Sequence, residues 1–281
     1  MGRRLGQHFL HDPAILDRIV AALNPTPSDV VIEVGSGKGT LTRRLAPKIG
    51  RLITIEKDRT LAAGLREGKS GDALPRNVRL EEGDALAIDW HSLVATESAD
   101  HDPAPAPEFK VVGNIPYAIT GPLIEKVLQP PLPQVAVYLI QREVADRLVA
   151  QPGVKAYGAL TVGVQVIAHV ERLFTVRPGS FSPPPAVDSA VVRLTPLAKP
   201  FIGESDRLGF RRFVTALFGQ RRKQLSRALR TVTGLGKKSV DDILSELNLD
   251  ISARPEVLTR DEMIRLFYAI DRLTNGGAHA E

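Results

Sequence analysis

Val30-Val31-Ile32-Glu33-Val34-Gly35-Ser36-Gly37-Lys38-Gly39-Thr40 sets the architecture of this 281-residue chain. A short β-branched run stops at three glycines on alternate positions, and a helical pattern, Leu41 to Leu45, follows at once. Such a run reads as a strand buried on both faces of a parallel sheet. A strand, tight turn and helix in succession hold a nucleotide-like ligand at the carboxyl end of the sheet. Glycine suits the turn because it adopts positive φ and lets backbone amides approach a ligand. Spacing excludes two familiar turns. A phosphate loop needs Ser or Thr after its lysine, and Lys38 is followed by Gly39. The dinucleotide pattern needs a glycine where Thr40 stands.

Upstream of this stretch, Asp12 is placed to cap a helix that opens at Pro13 and runs to about Leu23. Downstream, Arg51 to Ile55 predicts a second strand ending at Glu56, within the range where an acidic residue grips ribose hydroxyls. Leu61 to Glu67 predicts a helix, and Val78 to Glu82 a strand that runs into Gly83-Asp84-Ala85. Asp100 to Pro107 alternates proline with alanine and acidic residues, a solvated loop. Phe109 to Val112 and Val135 to Ile140 predict further strands; Val144 to Ala150 and Leu160 to Val170 predict helices. Phe174 to Val192 reads as a hairpin-like pair broken by Pro183-Pro184-Pro185, its second strand running from Ser189 to Leu194. Strands alternating with helices predict a mostly parallel, doubly wound α/β sheet. Around Pro196 to Pro200 the pattern changes, and only helices follow: Leu208 to Phe218, Gln220 to Arg230, Val240 to Leu247 and Arg260 to Leu273. The expected division is an α/β domain over 1–198 and a small all-helical domain over 199–281.

With 43% hydrophobic residues the chain can bury a substantial core. No apolar run approaches the roughly 20 residues of a membrane span. Arg3 and Arg4 are not followed by the apolar segment of a secretory signal. There is no cysteine, hence no disulfide framework, thiolate metal site or cysteine nucleophile. His91, His101, His169 and His279 are scattered without ligand spacing, and His8 with His11 makes a poor metal site, so no metal is expected. A cytoplasmic monomer is the expectation. The net charge of +5 is unevenly spread, with Arg207, Arg211, Arg212, Arg221, Arg222, Lys223, Arg227 and Arg230 crowding one C-terminal stretch.

Asn114-Ile115-Pro116-Tyr117 sits at the end of the predicted fourth strand, beside the glycine turn. This set suits an exocyclic amine on a planar base. The Asn114 side-chain carbonyl can accept a hydrogen bond from the amine. Pro116 has no N–H and holds Ile115 extended, so that a backbone carbonyl of Ile115 or Pro116 can be aimed at the same group. Tyr117 offers a ring for stacking, worth about 1–3 kcal/mol per base.

The G-x-G-x-G turn resembles motif I of the S-adenosylmethionine-dependent methyltransferases. Gly6-Gln7-His8-Phe9-Leu10, the glycine turn, Glu56, Gly83-Asp84-Ala85 and Asn114 to Tyr117 together resemble the rRNA adenine N6-dimethyltransferases. Gln141-Arg142-Glu143-Val144-Ala145-Asp146-Arg147, Pro152 to Gly158 and Phe181 to Ser189 are similar to the KsgA/RsmA branch, which dimethylates two adjacent adenines near the 3′ end of small-subunit rRNA. The resemblance covers about Gly6 to Leu273. It implies a Rossmann-like class I methyltransferase sheet, S-adenosyl-L-methionine as cofactor with S-adenosyl-L-homocysteine as product, and the 30S precursor as partner.

It also implies roles. His8 and Leu10 would close over the methionine end of the cofactor, and Gly35, with Gly37 in the same turn, would lie against its carboxylate and sulfonium side. Glu56, with Lys57 beside it, would bind the ribose end. Asp84 would accept from the cofactor's adenine amine, with Ala85 backing the ring. Asn114 would lie between cofactor and target, and Tyr117 and Phe181 would sandwich the extruded adenine. Arg211, Arg212, Arg221, Arg222 and Lys223 would contact RNA phosphates. One position departs from the pattern: the family usually has Asn where this chain has His8. A protonated imidazole there would sit near a sulfonium cation, so cofactor affinity is expected to weaken in acid. The nearest rival is a large-subunit (23S) rRNA methyltransferase of the macrolide-resistance type, which shares the cofactor site and Asn-Ile-Pro-Tyr. A further alternative is a binding module acting as an assembly checkpoint, against which intact Glu56, Asp84, Asn114 and Tyr117 argue.

Overall fold

The computed structural model describes residues 7–68, 73–98 and 108–275. Gly6, Arg3, Arg4, the loop expected at Asp100 to Pro107, His101 and His279 lie outside the described residues. The chain divides into two compact units, one of Met1–Ala145 with His169–Pro196 and one of Asp146–Ala168 with Leu197–Glu281.

The first unit is built on a seven-stranded sheet. Its strands are β2 (Val30–Val34), β3 (Arg51–Glu56), β4 (Val78–Glu82), β5 (Phe109–Asn114), β6 (Val135–Gln141), β7 (Ala168–Val176) and β9 (Ser189–Pro196), in the order β4-β3-β2-β5-β6-β9-β7. β2 is parallel to both β3 and β5, β4 to β3, and β6 to β5; β9 runs antiparallel to β6. The chain leaves β2 toward β3 and β4, then returns to its other side at β5. That reversal leaves a crevice at the carboxyl ends of β2 and β5. A separate two-stranded ribbon pairs β1 (Phe9–Leu10) with β8 (Phe181–Ser182), Leu10 opposite Phe181.

Helix α1 (Pro13–Leu23) is capped by Asp12, whose carboxylate accepts from the Ala14 and Ile15 amides at 3.0 and 3.3 Å. It buries Leu16, Ile19, Val20 and Leu23 in one core cluster with Val31, Leu52, Val112, Val137 and Val191 of the sheet. α2 (Thr40–Leu45), α3 (Arg59–Arg66), α4 (Trp90–Ser98) and α5 (Thr120–Val127) complete the crossovers. The last two lie outside the expected helices. Gly121 and Pro122 in the first turn of α5 mask its periodicity.

Two elements depart from the pattern read in the sequence. The helix expected over Leu160 to Val170 ends at Gln165 as α7 (Ala159–Gln165), and Ala168 opens β7 instead. Val166, Ile167 and Val170 are β-branched, and pairing at the sheet edge beside β9 wins over the helical spacing. The helix expected from Gln220 starts at Leu225 as α9 (Leu225–Thr233). The polar run Gln220 to Lys223 is a turn after α8 (Arg207–Gly219), closed by the Lys223 amide on the Gln220 carbonyl.

The second unit packs α7, α8, α9, α10 (Lys237–Glu246) and α11 (Arg260–Asn275) around Phe210 and Phe267, whose rings meet edge-on at 5.4 Å. The division differs from that expected at 198/199, because Asp146–Ala168 packs with these helices and not with the sheet. The Tyr157 hydroxyl donates to the Leu258 carbonyl at 2.9 Å, and the Phe201 amide donates to the Val166 carbonyl. The Pro152 to Gly158 motif is therefore part of the helical unit. No helix among the described residues is long and apolar enough to cross a membrane.

Candidate active site

The glycine turn after β2 is left-handed at all three glycines, with φ of +77° at Gly35, +55° at Gly37 and +76° at Gly39. A Cβ at Gly37 would also lie 3.1 Å from the Phe9 ring, a crowding that adds to the cost of a side chain at positive φ. The turn is held by Glu56 at the end of β3. Its two carboxylate oxygens accept from the Gly37 and Asp58 amides, each at 2.8 Å. Burial pushes the Glu56 carboxyl above its usual range, against these two amides. Each oxygen keeps a second lone pair for a hydroxyl.

Residues 7–10 form a strap over the crevice. The Thr40 hydroxyl donates to the Leu10 carbonyl at 3.1 Å, and β1 pairs with β8, which carries Phe181. The His8 Nδ1–H donates to the Pro183 carbonyl at 2.8 Å; a carbonyl only accepts, so this nitrogen carries the proton. The Asn114 side-chain amide donates to the His8 carbonyl at 2.9 Å. That contact fixes the orientation of Asn114, because only its Nδ2 can face a carbonyl. Its Oδ1 is left as an acceptor.

The resulting pocket is lined by ten of the residues singled out in the sequence: His8, Leu10, Gly35, Gly37, Glu56, Asn114, Ile115, Pro116, Tyr117 and Phe181. Three cofactor-site candidates are not in its lining. The Lys57 ammonium donates to Asp84 Oδ2 at 2.7 Å, which holds the Asp84 carboxyl below its usual range. Ala85 is buried and its carbonyl accepts from the Trp90 indole at 2.9 Å. The Gly83 amide, donating to the Glu56 carbonyl, keeps this trio beside the Glu56 end of the turn.

Two details differ from the chemistry read in the sequence. The Pro116 carbonyl already accepts from the Ile119 amide at 3.1 Å and the Thr120 hydroxyl at 3.4 Å, because a turn starts there. That leaves the Ile115 carbonyl as the backbone acceptor. Phe181 lines the pocket from the core cluster and is 4% exposed, and the ring packed against Tyr117 is that of His8, centroids 5.8 Å apart.

Sequence reasoning missed Ser189, Ser36 and Glu33. The Tyr117 hydroxyl and buried Ser189 Oγ are 2.8 Å apart, which sets the Tyr117 ring angle. Ser189→Ala is expected to raise the KM for a substrate stacked on Tyr117 about fivefold, the scale of one lost hydrogen bond of about 1 kcal/mol. Tyr117→Phe should do the same, and the double variant no more; additive losses in that cycle would remove Ser189 from the site. The Ser36 hydroxyl lines the pocket, is buried and has no partner among the described residues.

The signal that could have found Glu33 is a charge within a β-branched strand. It is 1% exposed and lines the pocket, with the Thr42 hydroxyl donating to it at 2.6 Å. Burial raises its pKa to about 7. The raised value means that its contribution is fully present below about pH 4.3, the unfolded value. It is lost as pH rises toward 7, by on the order of 3 kcal/mol. Glu33→Gln should therefore be more stable than the parent at pH 8 in denaturant melts, with the gap closing at pH 4.5. A gap independent of pH would contradict this assignment.

The N-terminal strap, the glycine turn, Glu56 and the Asn114 to Tyr117 turn form one pocket, and the chain's relatives agree with it. The family described as ribosomal RNA adenine dimethylase matches residues 2–271. The chain is similar to the ribosomal RNA small subunit methyltransferase A of Synechococcus elongatus, 41% identical over 271 residues, covering 94% of this chain and 93% of that one. The protein of the same name from Syntrophotalea carbinolica is 40% identical over 265 residues, with 94% of each covered. Among solved structures, a dimethyladenosine transferase from Plasmodium falciparum aligns with a TM-score of 0.76 at 28% identity, covering 96% of this chain and 98% of that one. The 23S rRNA methyltransferase ErmE aligns with a TM-score of 0.69 at 26% identity, covering 94% and 99%. With its crevice, strap and Asn-Ile-Pro-Tyr turn in place, this chain belongs to the ribosomal RNA adenine dimethylase family.

Proposed function

We propose that the chain dimethylates the N6 amines of two adjacent adenines near the 3′ end of 16S rRNA during small-subunit assembly in the cytoplasm. The observation that carries this is Asn114, its amide held by the His8 carbonyl and its Oδ1 left to accept from an adenine amine. Relatives named for the small subunit are about 40% identical over nearly the whole chain, whereas the large-subunit enzyme ErmE is 26% identical.

The pocket fits S-adenosyl-L-methionine. Glu56 presents two buried carboxylate oxygens for ribose hydroxyls, and the buried Ser36 hydroxyl lacks a partner among the described residues. Asp84, kept ionised by Lys57, would accept from an adenine amine next to Ala85. When bound, the cofactor supplies an electrophilic sulfonium methyl group and leaves as S-adenosyl-L-homocysteine. Asn114 Oδ1 and the Ile115 carbonyl would accept from the two N–H groups of the unmethylated amine, favouring a pyramidal nitrogen; the nitrogen, cationic once it has taken the methyl group, would then lose a proton to water, and the second transfer would proceed with the one N–H that remains. Holding reacting atoms at about 3–3.5 Å can supply up to about 7–11 kcal/mol of the barrier. Tyr117, set by Ser189, would stack the extruded base, and a loop adenine costs least to extrude. In the helical unit, exposed Arg211, Arg212 and Arg222 suit phosphate contact, whereas Arg221 is engaged by Glu256.

The test is to incubate the protein with labelled cofactor and unmethylated 30S particles, 50S particles or free rRNA, and to map the modified bases. Label at adjacent adenines of 30S particles is expected. Label confined to 50S particles would shift the chain to the macrolide-resistance type.

A further inference from the structure

Residues 84–88, which carry Asp84 and Ala85, turn back on themselves. The Leu86 amide donates to Asp84 Oδ1 at 3.0 Å, and the Ala87 and Ile88 amides donate to the Asp84 backbone carbonyl at 2.9 and 3.0 Å. The carbonyls of the turn are taken up by two side chains outside it. The buried Trp90 indole donates to the Ala85 carbonyl at 2.9 Å. The Lys126 ammonium, in the last turn of α5, donates to the Leu86 and Ile88 carbonyls at 2.9 and 2.6 Å. It also lies 5.4 Å from the centre of the Trp90 ring. A lysine in a last helical turn ordinarily serves its own helix, facing the C-terminal end of the dipole. Lys126 directs its donors to another segment instead, and burial lowers its pKa, opposed by the Asp89 and Asp84 carboxylates.

We propose that Lys126 is a positioning residue for the adenine end of the cofactor site: its ammonium, with the Trp90 indole, fixes the 84–88 turn so that Asp84 and Ala85 meet the purine. This rests on the cofactor reading above and deepens it. An ammonium suits the task because its donors radiate from one point and can reach two carbonyls two residues apart. Its charge has a second effect. Lys57, hydrogen-bonded to Asp84, and the nearby Lys126 both favour the ionised Asp84 carboxyl, which can then only accept. Such a carboxylate accepts from the 6-amine of adenine and repels the 6-oxo group of hypoxanthine. A site built to bond one group rejects the analogue that lacks it, provided that the bonding side chain cannot shift to suit both. The brace on the turn therefore sets base selectivity as well as affinity.

The test measures dissociation constants of S-adenosyl-L-homocysteine and of its 6-oxo analogue, S-inosyl-L-homocysteine, by calorimetry on the full-length protein. The parent should prefer the adenine form at least about tenfold, the scale of one hydrogen bond to a charged group. Lys126→Met keeps the side chain's length and removes the ammonium. It is expected to weaken the adenine form about tenfold, leave the hypoxanthine form nearly unchanged and so erase most of the preference. Trp90→Phe, which removes the indole donor, should shift the preference the same way and serves if Lys126→Met does not fold. The KM for 30S particles at saturating cofactor should stay that of the parent. Equal weakening of both ligands by both variants would show a general loss of structure and overturn the inference. Asp84→Ala separates the two remaining failures. If it loses the preference while Lys126→Met and Trp90→Phe keep it, the brace is wrong and the cofactor reading stands. If none of the three loses it, the placement of adenine at Asp84 falls as well.

Discussion

Asn114→Ala is expected to lower the rate of methyl transfer to 30S particles by about 10²–10³-fold, the scale for removing one pre-positioned polar group at a reacting atom. The substitution takes away two things at once. It deletes the Oδ1 acceptor for the target amine, and it frees the His8 carbonyl from the Nδ2 contact at 2.9 Å. Asn114→Asp separates them. It keeps an acceptor but sets a carboxylate oxygen against the His8 carbonyl, so it too should be slow, and its cofactor affinity should fall with the displaced strap. Single-turnover rates at saturating cofactor and substrate read the first effect, and equilibrium dialysis of the cofactor reads the second. An Asn114→Ala enzyme within threefold of the parent rate would end the proposal that this side chain orients the amine.

Glu56→Ala carries the second large expectation, this time on binding. Both carboxylate oxygens hold backbone amides, at Gly37 and Asp58, and both are the acceptors on offer to ribose. Hydrogen bonds to a charged group are worth about 1.5–3 kcal/mol each, and two part-buried amides would lose their partner together. Cofactor affinity should therefore drop at least about 10²-fold, with a looser glycine turn. Glu56→Gln keeps one acceptor and turns an NH₂ toward an amide, so it should recover only part of the loss. Tight binding by the Ala variant in calorimetry would show that the ribose end is held elsewhere.

The glycine turn, Glu56 and Asn114 to Tyr117 were legible because each is a local chain feature at the end of a strand, where a parallel sheet must place its ligand. The strap was not. β1 and β8 are two residues each, too short for periodicity, and they pair across the length of the unit. Ser189 escaped for a related reason: a serine opening a strand says nothing of the tyrosine hydroxyl 72 positions away. Arg221 looked like its basic neighbours, and only the fold shows Glu256 against it. The placement of 146–168 with the helices was equally hidden, since it depends on Tyr157 reaching Leu258. The C-terminal end of α7 failed because β-branched residues there satisfy either state until an edge strand offers a partner.

The strap has a consequence for biosynthesis. His8 and the Pro183 carbonyl that fixes its ring are 175 positions apart. Polypeptide emerges from the ribosome amino end first, so Gln7 to Leu10 reach solvent well before the Phe181 and Pro183 that fasten them. A nascent chain stalled before Phe181 can build the β2–β3–β5 crevice yet has nothing to fasten its lid. The strap can thus be fastened only once Pro183 has been synthesised, 175 positions after the histidine it holds.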